Sequence, residues 1–251
     1  MTDIEEIKKK IYQIAAITDR GQRLNKLIAP MYQEKLKEMG NLIDSLESFN
    51  TEVSEEKLSG EWELIYSTVE LFRSSPFFLA IENALNDEFK SNLFFKLHQL
   101  QVGSFGLSTI GRIAQNIDFD KKEFLSTFDT TIFGLTTIPI LGWFKLLPTF
   151  GGRVITLADD LTLEDKVLKM NLKKTKVSKV DGLNKIPLFS TLLMERWYPV
   201  KEVWEKLPWN KQSPSCEVSV IYLDDEVRVM KDIYGSTFVY IRPTISLLNS
   251  K

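Results

Sequence analysis

The side chains with the most chemical scope in this chain are arginines set among apolar neighbours. Arg153, Arg228 and Arg242 each stand in a stretch that otherwise alternates Val, Ile, Leu, Phe or Tyr. An arginine in such a stretch can lie over an aromatic ring, a cation–π contact of roughly 0.5–2 kcal/mol. It can instead turn inward and meet a ligand carboxylate or phosphate through charge-assisted hydrogen bonds. Its commonest place is the solvated face of its strand. The last two readings stand for Arg153 and Arg228, and the first two for Arg242.

Other reactive residue types are sparse. His98 is the single histidine, in Phe95-Lys96-Leu97-His98-Gln99-Leu100, with no nucleophile motif beside it. Ser104 and Ser108 are near it in sequence, but no Gly-x-Ser-x-Gly elbow is present. Cys216 is alone, which excludes a CxxC pair and an internal disulfide. The acidic run Asp224-Asp225-Glu226 falls where a hairpin turn is needed, and aspartate in a turn bonds its own backbone. The chain is therefore expected to be no enzyme, with no catalytic residues, no metal ligands and no cofactor.

The elements that must position the arginines read as strands. Alternation and turn signals place strands at 61–68, 107–118, 123–133, 153–159, 165–173, 217–223, 226–232 and 236–242. Trp62, Leu64 and Tyr66 fall on one face of the first. Val218, Val220 and Tyr222 share a face, as do Phe238, Tyr240 and Arg242. An antiparallel sheet that opens on Gly60-Glu61-Trp62 and ends on an aromatic strand can close on itself. Closure removes the edges and, at about eight strands, leaves room for one small ligand. The expected ligand-binding set is Trp62, Leu64, Tyr66, Arg153, Val218, Val220, Tyr222, Arg228, Phe238, Tyr240 and Arg242. An apolar molecule among these walls would be held mainly by buried area, about 25 cal/mol per Å² before binding costs.

Ahead of the strands, Ile4, Ile7, Ile11, Ile14 and Ile17 form a helical stripe that Thr18-Asp19-Arg20-Gly21 breaks. Met31, Leu36, Met39, Leu42, Ile43 and Leu46 form a second. The expected layout is a helical extension over 1–55, a β-barrel domain over 56–245 and a tail over 246–251. A short helix with a very apolar start is expected near Ser74-Ser75-Pro76-Phe77-Phe78.

Composition narrows the partners. With 32 Lys+Arg against 34 Asp+Glu, the net charge of −2 offers no basic excess to bind nucleic acid. The acidic start Met1-Thr2-Asp3-Ile4-Glu5-Glu6 is unlike a signal peptide, and no apolar run is long and regular enough to span a bilayer, so a soluble protein is expected. Residues 131–150 carry one charge, Lys145, and are broken by Gly134, Pro139, Gly142 and Pro148. They read either as a strand end with a buried connection or as a ligand portal that dips into lipid. Residues 183–214, with Trp197, Tyr198, Trp204 and Trp209, read as a packed loop or a lid. Lys166, Lys169, Lys173, Lys174, Lys176, Lys179 and Lys185 form either a solvated face or a contact for an anionic membrane.

Taken in order, these motifs resemble the plastid lipid-associated protein family, also called fibrillins or plastoglobulins. The resemblance runs through Ile17-Thr18-Asp19-Arg20-Gly21, the Leu42 to Asn50 segment and Leu58-Ser59-Gly60-Glu61-Trp62. It continues through Gly111-Arg112-Ile113-Ala114-Gln115-Asn116-Ile117-Asp118, Leu147-Pro148-Thr149-Phe150-Gly151-Gly152, and the Tyr222 to Arg228 and Phe238 to Pro243 ends. It implies a lipocalin-like antiparallel β-barrel with N-terminal helices, in which an Arg of the last strand covers the Trp of the first. It also implies binding of an isoprenoid, quinone, carotenoid or acyl lipid at thylakoid or plastoglobule surfaces in a plastid, as a peripheral membrane or lipid-droplet protein with a possible protein partner. Two other roles fit the same residues: a subunit docking on a photosynthetic complex or prenyl-lipid enzyme, and a lipocalin-like enzyme acting on an isoprenoid or tetrapyrrole.

Overall fold

The computed structural model describes residues 3–22, 29–104, 107–138, 143–181, 196–205 and 214–246. Side chains are described for these except in 29–31, 98–104, 107–108, 132–138, 143–151, 179–181 and 203–205. Helices α1 (Asp3–Ile17), α2 (Ala29–Ser48) and α3 (Glu55–Leu58) precede β1 (Gly60–Ser67). A 3-10 turn (Leu71–Ser74) leads into α4 (Pro76–Leu85) and α5 (Glu88–Ser104). Strands β2 (Leu107–Asp118), β3 (Glu123–Ile138), β4 (Trp143–Glu164) and β5 (Val167–Asp181) follow. After α6 (Val200–Glu205) come β6 (Ser215–Leu223), β7 (Val227–Lys231) and β8 (Thr237–Ile241).

The eight strands pair antiparallel in sequence order, and β8 pairs back onto β1, so the sheet closes in a ring. Around β1 and β6–β8 both sides of its wall are buried, each by a different partner. Toward the interior, Trp62, Leu64, Ile113, Ile117, Phe124, Ala158, Leu168, Met170, Val218, Val220, Met230, Phe238 and Tyr240 form one apolar cluster. Leu79 and Ala80 of α4 join it, so part of the interior is filled by this helix. On the outside, Val227, Val229 and Val239 pack against Ile11, Ile14 and Ala15 of α1 and Met39, Ile43 and Leu46 of α2. The isoleucine stripe of α1 and the Met/Leu stripe of α2 are the faces that make this second core.

The break after α1 clamps that helical pair to the ring. Thr18 Oγ1 donates to Ile14 O at 2.7 Å and accepts from Gly21 N at 3.2 Å. Asp19 and Arg20 take φ of 51° and 58°, and Ser67 N of β1 donates to Arg20 O. The Arg20 guanidinium reaches over to β2, donating to Ile110 O at 2.7 Å and Gly111 O at 2.5 Å. A Cβ on Gly21 would lie 2.2 Å from Ser67 O, so only glycine allows this approach. At the other end of α1, Lys8 Nζ reaches Asp224, Glu5 and Glu226 at 2.6, 3.1 and 3.2 Å. Burial alone would lower the Lys8 pKa, but these carboxylates together raise it.

Two β-bulges correct the expected same-face sets. The β1–β8 register shifts between Leu64 and Tyr66, and the β6–β7 register shifts between Val220 and Tyr222. An extra residue reverses the alternation beyond it. Trp62 and Leu64 therefore belong to the interior cluster while Tyr66 belongs to the outer one; likewise Val218 and Val220 are interior and Tyr222 is outer.

Most of residues 131–150 pair as strand. β3 runs on to Ile138 and β4 begins at Trp143, paired from Ile138↔Trp143 down to Phe133↔Pro148. β2 follows β3 only as far as Phe133, and β5 follows β4 only as far as Gly151. Among the described residues this leaves a two-stranded arm beyond the ring. Pro148, which lacks an N–H for the ladder, sits where the register shifts next to Phe133. Of the aromatic stretch 183–214, residues 182–195 and 206–213 lie outside the described residues; Tyr198 bridges Thr175 of β5.

Candidate functional site

One end of the ring interior is organised around Trp62. Its Nε1 donates to Leu58 O at 2.8 Å, fixing the indole against the last carbonyls of α3. The Arg242 guanidinium carbon lies 4.2 Å from the ring centroid, and Arg228 lies 4.9 Å from it. Arg242 donates to Ser59 O at 2.9 Å and Lys57 O at 2.5 Å. These bonds satisfy carbonyls that so short a helix cannot pair internally. Gly60 takes φ +103°, and a Cβ there would sit 2.9 Å from an Arg242 nitrogen. The glycine of the Gly60-Glu61-Trp62 motif is thus called for by its positive φ, and its missing side chain leaves room for the arginine that closes over the tryptophan.

Arg228 has a different environment. It is fully buried on β7, facing inward, with its guanidinium carbon 4.2 Å from the Tyr240 ring centroid. One Nη donates to Gln115 Oε1 at 2.5 Å. Gln115 Nε2 in turn donates to Tyr240 Oη at 3.0 Å and Ser74 O at 3.2 Å, which fixes which way the amide points. Among the described residues Nε and the other Nη of Arg228 have no hydrogen-bond partner and no carboxylate pairs with it. Burial pushes its pKa down to about 9, which still leaves the group charged at neutral pH. Burial also pushes the Tyr240 phenol up to about 12 and the interior Cys216 thiol further up, so both stay protonated.

A second buried polar group lies under α4. Arg73 donates to Glu82 Oε1 at 2.6 Å and stacks over the Phe95 ring at 4.2 Å. Burial, reinforced by Asp232, raises the Glu82 pKa to about 7. Asp232 accepts from Tyr234 N and Ser236 N through Oδ1, and among the described residues its Oδ2 has no hydrogen-bond partner.

Of the sequence-predicted set, the interior brings together Trp62, Leu64, Val218, Val220, Arg228, Phe238 and Tyr240, with Arg242 across its end. Tyr66 and Tyr222 face the helical pair, where Tyr222 donates to Asp224 Oδ2 at 2.6 Å. Arg153 is placed elsewhere. It lies five residues from the inward-facing Ala158, hence on the opposite face, and makes a bidentate pair with Asp129 at 2.7 and 3.2 Å. The Asp224 turn accepts from Glu226 N and Val227 N, as an aspartate in a turn is expected to do. The His98 side chain lies outside the described residues. Sequence reading missed Gln115, although a glutamine between Ile113 and Ile117 on an inward face was the available signal. It also missed Arg73 and Glu82, nine residues apart across a turn and a helix, for which no local pattern exists.

The chain matches the PAP_fibrillin family over residues 5–241. It belongs to that family, the plastid lipid-associated proteins. The matched span covers both the helical pair and the closed sheet; the Thr18–Gly21 clamp and Trp62 lie within it, and it ends one residue before Arg242. No curated protein and no solved structure matches the chain.

Proposed function

We propose that this fibrillin-family chain is a non-catalytic carrier built on a lipocalin-like barrel. It takes one hydrophobic molecule, an isoprenoid, quinone, carotenoid or acyl lipid, at a thylakoid or plastoglobule surface. The observation that carries this reading is the closed ring whose inward faces from β5 to β8 (Leu168, Met170, Val218, Val220, Met230, Phe238) are almost wholly apolar. The flexible Met170 and Met230 side chains suit ligands of irregular shape. The interior ionisable groups suit binding better than chemistry, since buried Cys216 and Tyr240 are held protonated and give no nucleophile at neutral pH.

Surface attachment has two supports. Phe89, Leu93 and Leu97 recur every four residues on α5 and remain 76%, 46% and 56% exposed, with Lys90 and Lys96 exposed beside them. The β3–β4 arm adds an apolar sequence with a single charge. Such apolar faces flanked by lysine fit the boundary of an anionic bilayer.

Native mass spectrometry of the purified protein, followed by lipid extraction, tests the carrier reading. A one-to-one complex with an apolar small molecule, exchangeable with added quinone, carotenoid or acyl lipid, is the expected result. Failure to retain or bind any of these leaves docking on a protein complex as the better account.

A further inference from the structure

Arg228 is a full positive charge inside a closed apolar ring, and its neighbours do not neutralise it. Among the described residues two of its nitrogens, Nε and one Nη, find no acceptor. Buried donors left unpaired are rare in folded proteins, and a buried charge without a partner is costlier still. The surroundings instead hold the group in place. The Tyr240 and Trp62 ring centroids lie 4.2 and 4.9 Å from its guanidinium carbon, and Gln115 holds one nitrogen with an amide whose own donors are already used. Arg242 could not serve, because its donors go to Ser59 O and Lys57 O. Arg153 could not either, because Asp129 occupies it outside the ring. Arg73 lies elsewhere against Glu82.

We propose that Arg228, with Gln115 and Tyr240 orienting it, is an anchor for the carboxylate of a single-chain acidic lipid whose tail lies among Leu168, Met170, Val218, Val220, Met230 and Phe238. The unpaired nitrogens supply the charge-assisted donors, and the carboxylate supplies the charge the interior lacks. The inference rests on the carrier reading and narrows it: the favoured ligand is a free fatty acid rather than a neutral quinone or carotenoid. Exclusion of water strengthens the pair, because each donor is worth more in a low-dielectric interior than at the surface.

Titration of the protein with oleate, oleyl alcohol, methyl oleate and acetate separates the possibilities. Oleate is expected to bind about tenfold or more tighter than the alcohol or ester, the factor that one charge-assisted bond of this kind supplies, and acetate to bind far more weakly than oleate. In Arg228→Gln the preference for oleate over the alcohol and the ester should vanish. Equal affinity for oleate, alcohol and ester in the wild type overturns the anchor but leaves the carrier reading standing. No binding of any chain overturns both. Acetate binding as tightly as oleate overturns the lipid headgroup in favour of a small anion. Should Arg228→Gln not fold, carbon-13 NMR of carboxyl-labelled oleate on the wild type gives the answer. An anchored carboxylate stays ionised well below the ordinary carboxyl range of about 4–5, and a signal that titrates within that range overturns the proposal.

Discussion

Arg242 lies face-on over Trp62, its guanidinium carbon 4.2 Å from the indole centroid, while its nitrogens hold the carbonyls of Lys57 and Ser59. One side chain thus ties the last strand to the first and to the helix that precedes it. Trp62→Ala removes the ring from a fully buried site and should lower stability by about 3–5 kcal/mol. Gly60→Ala, which leaves the indole in place, should still cost about 1–3 kcal/mol through its left-handed backbone and the approach of Arg242. Urea denaturation measures both, and an unchanged midpoint in either variant contradicts this closure.

The strand positions and the helical stripes were legible because each follows from local alternation or spacing, whereas the Trp62–Arg242 contact was legible only through the family resemblance. The faces of Tyr66 and Tyr222 were not. A period of two predicts the side of every residue only while the pleat is unbroken, and the shifts after Leu64 and Val220 each reverse it. Those same shifts are what present two tyrosines to the helical pair, so the outer core depends on them. The Arg228–Gln115–Tyr240 group was only half legible. Its members come from β7, β2 and β8 and meet only because the ring closes. Arg153 misled for a related reason. Its strand is apolar on both sides, and Asp129, the residue that decides its face, stands across the ladder on β3.

Glu82 gives the fold a pH dependence of defined sign. Burial and Asp232 raise its pKa from 4.5 to about 7 in the native state. Between these values the native protein holds more protons than the unfolded chain, so stability falls as pH rises through the window. Its full contribution is present below about 4.5 and is lost as pH passes about 7. Denaturation midpoints of wild type and Glu82→Gln between pH 4.5 and 7.5 should diverge with rising pH, the wild type losing ground. Parallel profiles would mean that Glu82 is ionised throughout.

Lys8 anchors α1 at the β6–β7 turn. Its ammonium is nearly buried and meets Asp224 at 2.6 Å, where Tyr222 also donates. Lys8→Met keeps the aliphatic stem but leaves Asp224 short of a partner, and should cost about 1–2 kcal/mol. Amide hydrogen exchange should accelerate in Asp3–Ile17 while the amides of β2 and β3 remain protected. Uniform acceleration across the sheet would show that α1 and the ring open together.

Arg153 supplies the counterpart to the buried arginine. It is paired with Asp129 at 2.7 Å on the outer face, its side chain 18% exposed and that of Asp129 42% exposed. An ion pair so placed is screened by solvent, so Arg153→Met should change stability by no more than about 1 kcal/mol. Binding of an acidic lipid should be unaffected, because five residues of alternation put Arg153 on the far side of the wall from Ala158 and the interior. The same titration run on Arg153→Met and Arg228→Gln therefore tests the face assignment directly. A loss of oleate affinity in Arg153→Met equal to that in Arg228→Gln would place both arginines on one ligand, which the β3–β4 register forbids.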